Sequence, residues 1–443
     1  MSEKAPVISV VMAVYNAEMY LRQALDSILS QTFREIEVIC VDDGSADDSP
    51  CILQEYAQRD DRIVVLRNDI ESKGAAMARN IGVDAARGEY LSILDADDFF
   101  EPNMLEKAYG KAKREDADAV LFDGYIYDDE LKADIQVPWI LKRSFIPNKS
   151  WFTPEENRKA LFEMNTGAAW NIVFRTSLIK ENRIRFTPAY ITDDQVFVCL
   201  AFACAKRITC IHDRLIHYRK NTKTGQTAGM SSHPEAGYVA SDFLKEQLTQ
   251  RKRYEEYHIS FVNHALTNAA IYLEEIDCGE KFEQLFQELK TRCLSEWQVD
   301  KVAKADFTTD ELYRKYRMIR DQSAVDYLLW QKHKKDTEKR LRRLTRKIGA
   351  MQRIVIYGAG EYGKKLFTKI LEYKVQQVVA WVDRNAGNIG FPVEDPETLS
   401  QLSYDFLIIT VMNDHIYDEI RNDLLIRGVE KHKILWLFEG DEP

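Results

Sequence analysis

Three segments of the chain, Val7 to Asn16, Val38 to Ser45 and Tyr90 to Asp98, are near-continuous apolar runs that each end in polar or acidic residues. Runs of this length, alternating with helical periodicity, predict a parallel sheet covered on both faces. Between the first two, Ala17 to Gln31 places Tyr20, Leu21, Ala24, Leu25, Ile28 and Leu29 at helical spacing, the pattern of an amphipathic helix. Thr153-Pro-Glu-Glu156 combines a capping hydroxyl, a first-turn proline and a glutamate three residues on, so a helix is predicted to start there. Residues 233–349 keep the helical period, carry many charges and contain no strand run. A strand pattern returns at Arg353 and recurs at Val378 to Val382 and Phe406 to Val411. The expected fold is α/β in three parts: a strand-and-helix domain over 1–225, a helical middle region over 226–350 and a small α/β domain over 351–443.

A chain of 443 residues exceeds what one hydrophobic core usually organises, in keeping with that division. Its net charge of −10 argues against a nucleic-acid binder. Seven cysteines at irregular spacings, with no Cys-x-x-Cys, do not form a disulfide framework. The amino terminus does not read as a signal peptide, and no apolar stretch approaches the ~20 residues that span a bilayer. The expectation is a cytoplasmic protein that touches a membrane only peripherally, at the inner face of the plasma membrane.

Ligands of parallel α/β sheets bind beyond the carboxyl ends of the strands, which puts Asp42 and Asp43 on one rim with Asp95, Asp97 and Asp98. Clustered carboxylates repel one another unless a cation or a hydrogen-bonding ligand offsets the charge, so the rim suits a metal and a phosphate. Asp-Gly-Ser is also a turn signal whatever it binds, and Asp42 can hold that turn while Asp43 serves a ligand.

The order Val-Val-Met-Ala-Val-Tyr-Asn-Ala, Val-Asp-Asp-Gly-Ser-Ala-Asp-Asp-Ser, Lys-Gly-Ala-Ala-Met-Ala-Arg-Asn-Ile-Gly and Gly-Glu-Tyr-Leu-Ser-Ile-Leu-Asp-Ala-Asp-Asp resembles the family 2 glycosyltransferases, over residues from about 7 to about 220. The resemblance implies the nucleotide-diphospho-sugar transferase fold called GT-A. It implies that Asp95 meets the ribose, that Asp97, with Asp95, holds Mn2+ or Mg2+, and that Asp43 hydrogen-bonds the base, usually uracil. Ala13, Tyr15 and Asn16 would border the nucleotide, as would Gly74, Arg79 and Asn80. In Ile191-Thr-Asp-Asp-Gln-Val-Phe197, Asp194 matches the base that takes the acceptor's hydroxyl proton. Asp193 stands there for the usual glutamate. The same residues also suit a helix start. Trp170 and Asn171 match an acceptor-side Trp-Asn-Lys element whose lysine is here Ile172; Trp170 can equally fill core. His217 and Arg219 match a run whose basic side chains reach the pyrophosphate, although the segment also reads as an edge strand.

The tail opens with Arg353-Ile-Val-Ile-Tyr357 and then Gly358, Gly360 and Gly363 in Gly-x-Gly-x-x-Gly spacing, with Asp383 closing the next strand. This is a dinucleotide fingerprint in context and predicts a Rossmann-like unit that could take a nucleotide such as NAD(P). No Tyr-x-x-x-Lys or comparable hydride-transfer set follows, so a scaffold or homo-oligomer module weighs at least as much. Gln331 to Lys347 is strongly basic with a thin Leu341, Leu344, Ile348 stripe, and reads as a linker helix packed on a neighbour or as a contact for anionic lipid.

Together these readings predict a metal-dependent inverting glycosyltransferase. It would move a sugar from a nucleotide donor, a UDP-sugar first, to a hydroxyl of a glycan or polyol-phosphate, teichoic-acid-like acceptor that can be lipid-linked, in bacterial surface polysaccharide synthesis. The alternatives are a non-catalytic nucleotide-sugar-binding assembly protein and an NAD(P)-dependent sugar-nucleotide enzyme built on the tail.

Overall fold

A computed structural model describes residues 5–68, 74–187, 193–220, 233, 235–276, 279–348, 352–373, 376–384 and 393–438. The chain divides into two compact units, residues 1–324 and 325–443.

The first unit is built on one sheet whose strands are β1 (Ile8–Val14), β2 (Ile36–Asp42), β3 (Ile63–Arg67), β4 (Tyr90–Ile93), β5 (Phe99–Phe100), β6 (Ala119–Asp128), β7 (Ala133–Gln136), β8 (Ile172–Arg175) and β9 (Ile208–Lys220). Their order is β3-β2-β1-β4-β8-β6-β9-β5, with β7 paired to β6. The apolar runs explain the centre: every residue of β2 and β4 is buried, and in β1 only Ala13 is partly open. β1 pairs in parallel with β2 and β4, so their carboxyl ends share a rim. β8 runs antiparallel to β4 and β6, which brings its amino-terminal end, after Trp170 and Asn171, to that same rim.

The first helix covers Leu21–Leu29 and buries Leu21, Ala24, Leu25 and Ile28. It starts later than its apolar period suggests because the backbone of residues 17 and 18 is bonded to the loop after β2. At Thr153 the expected capping box forms, with the Thr153 amide donating to Glu156 at 2.9 Å, but only a single 3-10 turn, Pro154–Asn157, follows. The helices Ala236–Gln250, Tyr254–Glu274, Glu280–Glu288 and Asp310–Asp321, from the region expected to be helical, pack within the first unit.

In the second unit the strands β10 (Arg353–Tyr357), β11 (Gln377–Val382), β12 (Phe406–Ile409) and β13 (Ile434–Trp436) form an all-parallel sheet in the order β11-β10-β12-β13. The basic helix, Ala324–Ile348, lays Leu341, Leu344 and Ile348 into a core with Ile354, Ile356 and Leu366, so its apolar stripe is spent on packing. No helix among the described residues is long and apolar enough to cross a membrane.

Candidate functional site

The rim is assembled first by the loops after β1 and β2. The Asp43 amide donates to the Val14 carbonyl at 2.8 Å, extending the β1–β2 ladder past the strand ends. Beyond it the two loops exchange side-chain bonds. Asn16 donates its amide to Ser45 Oγ and accepts the Ala46 amide at Oδ1, while Glu18 and Asp47 hold each other's loop in the same way. Asp42 Oδ1 accepts the Ser45 amide at 3.0 Å, so it holds the turn. Asp43 Oδ1 accepts from Asn68 Nδ2 at 2.6 Å and Oδ2 from the Gly74 amide at 2.7 Å. Each carboxylate oxygen keeps a second lone pair for a ligand. Gly74 takes φ +129°, a conformation that suits glycine and turns the chain into the helix Ala75–Ala85. Above this floor the Tyr15 ring is 57% exposed, a flat aromatic surface on the rim.

The acidic turn after β4 is closed by the Asp98 amide donating to the Asp95 carbonyl at 3.1 Å. Arg219 braces it from β9: its amide donates to Asp98 Oδ1 at 2.7 Å, its Nε to the Asp97 carbonyl at 2.7 Å, and its other nitrogens to Asp129 and Gln23. Burial, and then the neighbouring Asp95, push the Asp97 carboxyl up to about 6. Burial, followed by Asp97 and Asp95, holds Asp98 well above the usual carboxylate range. Asp98 Oδ2 is buried without a hydrogen-bond partner. A turn that suppresses the charge of its own carboxylates fits a cation, which would take the place of the protons. Among the described residues no three His, Cys, Asp or Glu side chains close on one point, so such a cation would complete its shell with phosphate oxygens and water. Mg2+ characteristically binds that way, through one or two carboxylates and a substrate phosphate.

Arg79 joins this turn to the second acidic element. Its Nη2 donates to Asp95 Oδ1 at 2.7 Å and its Nη1 lies 3.1 Å from Asp194 Oδ1, while the guanidinium sits over the Phe186 ring. Asp194 stands in the first turn of the helix Asp193–Cys204, with Oδ2 3.4 Å from the Ala169 amide. Asp193 opens that helix; its side chain lies outside the described residues.

Five residues expected to meet a ligand are engaged by the protein itself. Asn171 is fully buried and bonds the Phe122 carbonyl and Asn165, which leaves no face for an acceptor. Trp170 is buried and stacks on Tyr218 with centroids 4.9 Å apart, the core-filling alternative. His217 is clamped between Asp134 and Glu101 and stacked on Phe99, and Arg219 is spent on the acidic turn, so both position the loop from below and neither points a free cation at a pyrophosphate. Asn80 exchanges two bonds with the Phe186 backbone, at 2.8 and 3.0 Å, and so anchors the chain ahead of Asp194. Asn68, Gln23 and Asp129 support the site from positions that carry no motif, where only a polar residue inside an apolar context could have drawn notice.

In the second unit the Gly358–Gly363 turn follows β10, with Gly358 at φ +106°. A Cβ on Gly363 would lie 2.0 Å from the Gly358 carbonyl oxygen, so the close helix approach requires glycine there. Asp383 Oδ2 accepts the Ala359 amide at 2.7 Å, tying the end of β11 to the turn.

Residues 9–183 match the family described as glycosyl transferase family 2, and residues 350–435 match C2185-like, N-terminal. Glycosyltransferase GlyG of Streptococcus pneumoniae serotype 4 is 34% identical over 49% of this chain and 71% of its own length. The poly(ribitol-phosphate) beta-glucosyltransferase of Bacillus spizizenii is 32% identical over 48% of this chain and 32% of its own. Among solved structures, S. aureus TarS 1-349 aligns with a TM-score of 0.49 at 21% identity, over 70% of this chain and 91% of that one.

Proposed function

Because this chain belongs to glycosyl transferase family 2 and is thus a glycosyltransferase acting on a nucleotide sugar, we propose that it works by inversion, drawing on a UDP-sugar and on Asp194 as general base. The observation that carries this reading is the Arg79 bridge, which holds Asp95 of the donor turn and Asp194 within one guanidinium's reach. In the reaction, an acceptor hydroxyl gives its proton to Asp194 as its oxygen bonds to the anomeric carbon. The bond from that carbon to the diphosphate oxygen breaks on the opposite face, and the nucleoside diphosphate leaves with the electron pair. Tyr15, Ala13 and Asn16 would line the nucleoside, and Asp43 would take the base edge. Asp97, with Asp95, would hold Mn2+ or Mg2+, which supplies charge neutralisation of the leaving diphosphate. Arg79 keeps the base oriented.

The acceptor we propose is a glycan or polyol-phosphate hydroxyl, by analogy with the poly(ribitol-phosphate) beta-glucosyltransferase of Bacillus spizizenii. For the tail we propose a Rossmann-like unit in which Gly358, Gly360, Gly363 and Asp383 form the turn; its parallel sheet supports that reading. We place the protein at the cytoplasmic side of its membrane. The test is thermal protection by UDP-glucose, UDP-galactose and UDP-N-acetylglucosamine with and without Mn2+, followed by UDP release from the protective donor. Failure of every donor to protect or turn over would overturn the reading.

A further inference from the structure

Behind Asp194 a line of polar side chains, half-buried at Gln195 and buried beyond it, runs out of the sheet domain into the helical region. Gln195, the next residue, accepts a 2.6 Å bond at Oε1 from Nδ2 of Asn268 on the helix Tyr254–Glu274. The same nitrogen lies 3.0 Å from His264 Nε2, and His264 Nδ1 lies 3.2 Å from Glu163 Oε1. Asn268, His264 and Glu163 are all buried. Nδ2 donates to Gln195 and packs on His264, whose Nε2 also lies 3.6 Å from Cys199 Sγ and whose Nδ1 is held by the Glu163 carboxylate. Groups of this kind are costly in an apolar interior unless each is paired, so the satisfied line favours a single arrangement. Gln195 also has little room to turn away. A Cβ on Gly167, whose φ is +82°, would stand 2.7 Å from Gln195 Cγ.

Resting on the reading of Asp194 as base, we propose that Asn268 is a positioning residue for sugar transfer. It fixes the first turn of the helix Asp193–Cys204, so that Asp194 stays between Arg79 and the Ala169 amide. The helical region then contributes to the catalytic apparatus through Asn268. A small displacement of a catalytic group costs turnover far more than it costs ground-state binding.

The test compares Asn268→Leu, Gln195→Met, their double variant, Asp194→Asn and a packing control, Leu266→Ala, which is buried in the same helix. Each is assayed for UDP release and donor Kd with the UDP-sugar that protects the parent protein. Asn268→Leu and Gln195→Met should each lower kcat by roughly ten- to a hundredfold, with donor Kd within about twofold. The double variant should be no slower than the slower single variant, because both cut one link. Leu266→Ala should lose melting temperature while kcat holds. If Asp194→Asn abolishes turnover but folded Asn268→Leu keeps the parental kcat, or if Leu266→Ala slows the enzyme equally, the positioning role is wrong and the base assignment stands. If Asp194→Asn turns over normally, both fall.

Discussion

Arg79 Nη1 stands 3.1 Å from Asp194 Oδ1, and the pair is shielded from bulk water. A guanidinium reaches two carboxylates through separate nitrogens; an ammonium cannot hold both in that fork. Arg79→Lys should therefore reduce kcat more than donor affinity. Asp194→Asn should leave donor affinity nearly intact and cut turnover by roughly 10²- to 10⁴-fold, the usual loss for a general base. Donor titration beside single-turnover transfer separates the two effects. Parental transfer by Asp194→Asn would move the base elsewhere, with Asp193 first in line.

Asp97 gives a prediction with a sign. Its carboxyl sits at about 6 in the folded protein, first through burial and then through Asp95, against an ordinary value near 4 in the unfolded chain. Between those values the folded state binds more protons, so stability falls as pH rises from about 4 to about 6 and stays lowered above. Asp97→Asn should therefore be more stable than the parent at pH 7.5 without divalent cations, by roughly 1–3 kcal/mol, with the gain gone below about pH 4. The same variant should lose the protection that a UDP-sugar gives in Mn2+. Scanning calorimetry at pH 4 and 7.5 checks both halves; a variant less stable than the parent at pH 7.5 contradicts the first.

Arg219 is buried, bonded through its amide and its guanidinium to four residues, Asp97, Asp98, Asp129 and Gln23, and surrounded by the rings of Tyr20, Phe99 and Tyr127. Arg219→Ala leaves Asp129 with only the exposed Lys132 and the Tyr20 hydroxyl and should cost on the order of 3 kcal/mol, the low end of the scale for breaking a buried pair. Arg219→Lys should recover part of that stability but little donor binding, since the fork that grips the Asp97 carbonyl is gone. Full donor affinity in Arg219→Lys would show that the acidic turn stands without it.

How far the sequence disclosed the site depended on what kind of information each residue carried. Apolar runs located β1, β2 and β4, because burial on both faces leaves no polar position to confuse the period. The turn chemistry of Asp42 was readable for the same reason: Asx turns are local. Motif position pointed to Asp95, Arg79 and Asp194, which lie within one guanidinium's reach of each other, but was silent on which way a side chain points. Asn171 and Trp170 face the interior and Arg219 faces the back of the loop, contacts made across more than forty residues that no local pattern records. Asn68 and Asn268 gave no signal at all, since a buried amide is recognised only once its partner is known.

Ending the chain after Ala324 removes the second unit and leaves every residue of the proposed site. UDP release by residues 1–324 should survive, and a change, if any, should appear in mass by light scattering or in acceptor use. Loss of turnover from a folded, monodisperse truncated protein would place part of the site in the tail.

The reciprocal bonds of Asn16 with the Ser45 hydroxyl and the Ala46 amide, and of Glu18 with the Asp47 carboxylate and the Asp48 amide, mean that the floor proposed for the nucleotide is ordered within the protein itself. The entropy of ordering those loops is met in folding and does not recur at each encounter. Two chain segments that hold one another also drift together: a change at Asn16 alters the seat of Ser45, and a change at Asp47 alters that of Glu18. A switch of nucleotide preference in such a floor would call for paired substitutions, one on each loop.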